Sequence, residues 1–155
     1  MRAIAEDRVV FAHRSPLPLP SAALAAELAA RARAALPDES VAAVFIDAQG
    51  ALSLEPLVNR ARERRDRFRV DPLEFVAVEH RARLAGRRLF AWFHSHPHGP
   101  AEPSAEDLAT AWRDCESWLG AFDAEGAFSL VGLAFEAGAR PGWQPRFRVA
   151  VPTAS

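Results

Sequence analysis

The chain has no lysine, no tyrosine, one cysteine and one methionine in 155 residues. A lone Cys115 excludes an internal disulfide. No run of about 18 apolar residues occurs, so no transmembrane helix is expected. The first residues, MRAIAEDRVVFAH, carry charges where a signal peptide needs an apolar stretch. A cytoplasmic location is therefore expected. All 19 basic residues are arginine, and 20 acidic residues bring the net charge to −1. That balance exerts no global pull toward nucleic acid or a membrane surface. What is present is ordinary for a globular chain: 50% apolar and 25% charged residues. A chain of this length can bury a sizeable core, and residues 1–155 read as one domain.

Local signals set out a mixed order of elements. Ala3 to Ala12 reads as an edge strand, and Ser15 to Pro20 as a proline-rich connector. Ser21 is a good N-cap for ALAAELAARARAAL, a run of strong helix formers that Pro37 ends. Val41 to Ile46 is apolar and rich in strand formers, hence a core strand. Asp47-Ala48-Gln49-Gly50 turns into a hairpin partner at Ala51 to Val58. Asp71 and Pro72 supply a cap and an N1 proline for LEFVAVEHRARLA, which Gly86 closes. Arg87 to Phe93 suits a buried strand. Ser104 opens a helix through SAEDLATAW, and Trp112 to Glu116, with an inert Cys115, is read as helical too. Ala127 to Glu136 and Arg146 to Val151 are the last strands, joined by a Gly/Pro turn at Gly138 to Gly142. This order predicts an α/β fold with a mixed sheet flanked by helices.

His94-Ser95-His96, followed by Asp107, carries the chemistry. Residues at i and i+2 of a strand face the same way, so both imidazoles project from the strand end. Pro97, Gly99, Pro100 and Pro103 break the chain into a loop, and Asp107 falls in the first turn of the next helix. Strand end and helix start can converge on one divalent ion. Three protein ligands plus an open position is the arrangement of catalytic zinc. A plainer reading exists for Asp107: Ser104-x-x-Asp107 is also a capping box, with the acid reaching back to the Ser104 N–H. An isolated His-x-His carries little weight; the full string HSHPHGPAEPSAED carries much more. His80 reads as surface, His98 as a residue of the motif loop, and His13 gives no signal. Trp92 reads as core or as a wall of the cleft.

This string resembles the JAMM, or MPN-plus, metalloprotease motif: His-x-His-Pro, a short loop, then Pro-Ser-x-x-Asp. The resemblance implies that His94, His96 and Asp107 hold one catalytic Zn²⁺ and that Ser104 helps hold an oxyanion. It also implies a general base just before the first core strand, where Glu39 stands; Glu55 is the alternative. Family members often read Glu-x-Cys-Gly there, and this chain reads Glu39-Ser40-Val41-Ala42, with packing residues at the altered positions. Pro56, Asn59 and Phe68-Arg69-Val70-Asp71-Pro72 agree further. The resemblance spans roughly residues 20 to 135 and implies a three-layer MPN-like fold, a mixed curved β-sheet flanked by helices.

The implied activity is a zinc metallo-(iso)peptidase that cuts the amide bond after the C-terminal glycine of a ubiquitin-like protein. It would reverse conjugation or mature a precursor. Related bacterial enzymes either trim ubiquitin-like sulfur carriers or sit beside activating and conjugating enzymes. No large specificity insertion is evident, so a small open cleft is expected, fed by an extended tail that adds to a sheet edge beside the metal. Two rivals come from other classes. A facial-triad iron oxygenase usually reads His-x-Asp with a distant second His, the reverse of this order. A non-catalytic MPN-like scaffold usually lacks some ligand residues, and all are present here. The absence of lysine fits a GC-rich bacterial genome; alternatively, a chain without side-chain amines escapes modification by an amine-conjugating system.

One charged run remains. Arg60 to Arg69 (RARERRDRFR) holds six arginines against Glu63 and Asp66, a local charge of +4. It is either solvated surface or a docking patch for an acidic partner, because guanidinium pairs carboxylates through a bidentate fork. No nucleic-acid recognition motif accompanies it.

Overall fold

A computed structural model describes residues 17–152. The predicted strand Ala3 to Ala12, together with His13, lies outside the described residues. Helix α1 is Ala22–Ala35, and the Ser21 hydroxyl accepts the Leu24 N–H at 3.1 Å as its N-cap. Strands β1 (Val41–Ile46) and β2 (Leu52–Leu57) form the predicted hairpin. In the turn between them, Asp47 Oδ1 accepts the N–H groups of Gln49 and Ala51, and Gly50 takes φ +84°. Helix α2 is Pro72–Leu84, with Asp71 as N-cap and Pro72 at N1. It ends in a Schellman closure: Arg87 N–H donates to the Ala82 carbonyl, Gly86 N–H to the Arg83 carbonyl, and Gly86 sits at φ +72°. Strand β3 (Arg88–His96), helix α3 (Ala105–Thr110), and strands β4 (Glu116–Phe122), β5 (Phe128–Glu136) and β6 (Gly142–Val151) complete the order.

The six strands form one sheet in the order β2-β1-β3-β4-β5-β6. Only the β3–β4 pair is parallel. β1 is buried at every position because helices cover both of its faces. Ala42, Val44 and Ile46 pack with Leu24, Leu28 and Ala32 of α1, whereas Val41, Ala43 and Phe45 pack with Phe75, Val78 and Ala82 of α2. The α/β expectation of a mixed sheet flanked by helices is met.

Two expectations fail. The predicted helix through Trp112 stops at Thr110, and residues 112–115 form a turn, so Cys115 is not helical. Burial pushes its thiol up to about 12. Immediately after it comes β4, a strand the local pattern did not announce. ESWLGAF is buried on both faces and interrupted by Gly120, so it lacks the period-2 alternation of a half-buried strand. Gly120 is there for packing: a Cβ at this position would lie 2.3 Å from the Phe128 ring and 3.0 Å from Phe93. At the start of β4, buried Glu116 accepts the Trp118 indole N–H and pairs with Arg146 at 2.7 Å. The other guanidinium nitrogens of Arg146 hold the carbonyls of Leu17 and Pro18, which fixes the connector to the sheet.

The edges of the sheet are β2 and β6, so β3 is paired on both sides. The sheet edge on the side of the histidine strand is β2, whose Leu57 pairs with Val41 and through it lies level with His94. No helix among the described residues is long and apolar enough to cross a membrane. Gly120→Ala should lower thermal stability by about 1–3 kcal/mol through overpacking against Phe128. Thermal or denaturant unfolding would measure this, and wild-type stability would mean that the ring simply moves aside.

Candidate metal centre

β3 ends in His94, Ser95 and His96, with His94 and His96 on one face and Ser95 on the other. α3 begins at Ser104, and its first turn brings Asp107 to the same point. His94 Nε2 lies 3.2 Å from His96 Nε2, His96 Nε2 lies 3.1 Å from Asp107 Oδ2, and His94 Nε2 lies 3.3 Å from Asp107 Oδ1. Two ligands bonded tetrahedrally to Zn²⁺ at about 2.0–2.1 Å are separated by about 3.3 Å. The three predicted ligand residues thus form a triangle of zinc dimensions, and they are the group among the described residues able to hold a metal.

The chemistry of the donors fits the same ion. His96 Nδ1 lies 3.0 Å from the Pro100 carbonyl, which can only accept a hydrogen bond, so Nδ1 carries the proton and Nε2 keeps its lone pair. Burial lowers the His94 pKa, which keeps its imidazole neutral. Burial also opposes charging of His96, but the Asp107 carboxylate and the Pro100 carbonyl outweigh it and raise its pKa. Burial alone would raise the Asp107 pKa; the two imidazoles and the Ser104 N–H instead hold it well below the usual carboxylate range. Two ring nitrogens and an anion converging at these distances are a donor set that a divalent cation can bridge.

The capping-box reading of Asp107 is also correct, and the two readings cooperate. Asp107 Oδ2 accepts the Ser104 N–H at 2.8 Å, and Ser104 Oγ accepts the Asp107 N–H at 3.1 Å. The cap fixes the carboxylate rotamer that faces the histidines. Ser104 is exposed, and its hydroxyl still has a proton to donate.

Glu39 lies outside the triangle, buried at 6% exposure just before β1. Burial raises its pKa from 4.5 to about 7; Asp107, Asp66 and Glu106 add to the rise and His96 opposes it. Its backbone is clamped on both sides. Glu39 N–H donates to the Arg64 carbonyl at 2.7 Å, and the Glu39 carbonyl accepts from Asn59 Nδ2 at 3.1 Å. Next to it, Ser40 N–H donates to Ser95 Oγ at 2.8 Å and the Ser40 carbonyl accepts the Ser95 N–H at 3.0 Å. Ser95, the middle residue of the motif, therefore ties Glu39 to the histidine strand. The sequence reading assigned no role to Ser95 and noted Asn59 only as agreement with a family. A small polar residue between two ligands was the available signal. Glu55, the alternative base, is engaged by Arg87 at 3.2 Å on the edge strand. His98 ties its loop to the Pro37 carbonyl at 3.1 Å.

A cleft of about 210 Å³ opens beside the triangle, lined by Phe68, Val70, Trp92, His94, Asp107 and Trp112 among others. Phe68 lies against the His94 ring at 4.7 Å, and Trp92, Phe75 and Trp112 form an aromatic cluster with centroids 4.7–5.6 Å apart. Trp92 is thus both core and cleft wall, and its indole N–H is buried without a partner. Arg67 and Glu106 face each other at 3.8 Å where the loop before α2 meets α3.

Residues 21–140 match the family of prokaryotic homologs of the JAB domain. The chain belongs to this JAB family. The JAMM/MPN resemblance seen in its motif therefore holds at the family level. The chain is similar to a desampylase from Haloferax volcanii, 34% identical over 74 residues that make up 48% of this chain and 50% of the relative. It thus spans about half the length of this curated relative. A solution structure of a protein from Desulfitobacterium hafniense matches with a TM-score of 0.65 and 25% identity, over 78% of this chain and 84% of that one. A second, from Salinibacter ruber, matches with a TM-score of 0.55 and 20% identity over 81% and 86%, and shows the shared fold alone.

Two outcomes follow for this JAB-family chain. Calorimetric titration with Zn²⁺ should show one site that His96→Ala or Asp107→Ala abolishes; unchanged zinc affinity in Asp107→Ala would remove the carboxylate from the site. In metal-free protein, Glu39 keeps a proton up to about pH 7 that the unfolded chain releases near 4.5, so it makes stability fall as pH rises through that window. Glu39→Gln should remove this loss, and its metal-free melting temperature should exceed wild type above about pH 7. A variant less stable than wild type there would show that the buried carboxylate is no liability.

Proposed function

We propose that this chain is a zinc-dependent peptidase that cleaves the amide bond after the C-terminal glycine of a ubiquitin-like protein, and that it reverses conjugation. The observation that carries the reading is the triangle of His94, His96 and Asp107 at 3.1–3.3 Å, with Glu39 buried beside it. The similarity to a desampylase supports a ubiquitin-like substrate.

The roles divide as follows. His94, His96 and Asp107 would hold the ion, offering it two neutral donors and one anion. Zn²⁺ bound there supplies a Lewis acid and acidifies water to a pKa of roughly 7. Glu39 takes the proton from the attacking water and passes it to the departing amine. A pKa of about 7 suits both halves of that relay, and a dication nearby draws it lower. The Ser104 hydroxyl, with its oxygen already accepting the Asp107 N–H, directs its proton toward the developing oxyanion. Phe68, Trp92 and Trp112 exclude water from the cleft and give an extended tail an apolar wall. β3 is paired on both sides, so a tail that adds to the sheet does so at the β2 edge.

The test is a ubiquitin-fold protein whose terminal Gly-Gly carries an isopeptide-linked amine. Zinc-loaded enzyme should release the amine after the glycine, and chelator should stop the reaction until zinc is restored. Glu39→Gln should lower kcat by about 10²–10⁴ while zinc remains bound. Ser104→Ala should lower kcat by about 10²–10³. Cleavage that survives chelator, or near-normal turnover by Glu39→Gln, would refute the assignment.

A further inference from the structure

The loop from Asn59 to Arg69 joins β2 to α2 and contains the six-arginine run. It is held rigidly. Asn59 Oδ1 accepts the N–H groups of Ala61 and Arg69, and Asn59 Nδ2 donates to the carbonyls of Glu39 and Arg67. Arg60 N–H closes the neck on the Arg69 carbonyl at 2.7 Å. The inner side of the loop belongs to the cleft, where Phe68 rests on His94. On the outer side the guanidinium groups are exposed. Two of them meet carboxylates: Arg64 pairs with Asp38 at 3.1 Å, and Arg67 lies 4.0 Å from Glu63 and 3.8 Å from Glu106. Arg60, Arg62, Arg65 and Arg69 make no ion pair among the described residues.

A pinned loop cannot spread its charges apart, so these guanidinium groups repel one another on a chain whose net charge is −1. An acidic surface relieves that repulsion, and each fork can take a carboxylate with two parallel hydrogen bonds. The position of the loop limits what the surface is. It forms the rim of the cleft into which a polypeptide tail runs, so a protein whose tail reaches the metal lays its folded body against this rim. Nucleic acid is disfavoured because Glu63, Asp66 and Glu106 interrupt the basic surface and no recognition motif accompanies it.

We propose that the Arg60–Arg69 loop is a docking surface for an acidic face on the folded body of the substrate protein, next to its C-terminal tail. That this partner is a protein rests on the peptidase reading above; the demand for an acidic surface does not. The loop raises association rate and selects among substrates that share the same tail, while the cleft reads the tail itself.

The test uses two versions of a ubiquitin-fold protein ending in the same Gly-Gly-linked fluorophore. One carries Asp and Glu on the face around the tail; the other carries Ser and Asn there. Arg62→Glu/Arg65→Glu is the variant, because neither residue belongs to the cleft or holds Glu39. Fluorescence anisotropy should show the acidic version binding about tenfold tighter than the neutral one, as expected from two or three exposed pairs acting together. The variant should lose that preference with an unchanged melting temperature, as should wild type in high salt. kcat on the neutral version should stay the same in both proteins. Equal binding of the two versions by wild type would overturn the proposal. So would tighter, Arg62- and Arg65-dependent binding of a single-stranded RNA oligomer included as a third probe. Arginine-dependent binding of the acidic version without any zinc-dependent cleavage would uphold the docking surface and remove the peptidase assignment instead.

Discussion

The structure depends on one constraint: two imidazole nitrogens 3.2 Å apart must be held against the two oxygens of one carboxylate, at 3.1 and 3.3 Å. The two ring nitrogens face each other only because both also meet the Asp107 carboxylate. The chain holds them together by fixing each through another bond. His96 is oriented by the Pro100 carbonyl, Asp107 by its reciprocal cap with Ser104, and His94 by the Phe68 ring and by burial. The convergence is therefore present before any cation arrives, and binding need not supply the ordering of side chains.

The sheet supplies the rigidity behind it. β3 lies between β1 and β4, with helices packed over both faces of neighbouring β1. Ser95 uses its place between the two ligands to hold Ser40 in register, and through Ser40 the position of Glu39. Glu39 and the His94–His96–Asp107 cluster thus share one backbone framework, although they lie far apart in the chain. The same burial that positions Glu39 raises its pKa, so its carboxyl is a destabilising group at neutral pH when no cation is near. β4, whose Gly120 lets the Phe128 ring approach, completes the pairing of β3.

The cleft and its rim divide recognition between two kinds of chemistry. Phe68, Trp92 and Trp112 form the apolar part of the cleft wall. The arginines of the adjoining loop are exposed and charged. Short-range packing and long-range charge are thereby placed on the inner and outer sides of one segment, anchored by the single side chain of Asn59.

The ligands were legible because their geometry is local. His94, His96 and Asp107 sit on a strand end, a proline-broken loop and a capped helix start, and strand periodicity with cap chemistry is enough to bring them together. α1, α2 and the β1–β2 hairpin were legible for the same reason: Ser21, Asp71, Pro72, Gly50 and Gly86 mark their ends. Glu39 was visible only through a resemblance, since no local pattern says that a glutamate before one strand will lie against a loop from another. β4 was not visible at all. Its pattern is erased by burial on both faces, and Gly120 answers to Phe93 and Phe128 rather than to its chain neighbours. The aromatic walls, the clamp from Ser95 and the place of the arginine loop on the cleft rim were likewise decided by tertiary packing. Such contacts join residues distant in the chain, and propensity and periodicity describe only neighbours.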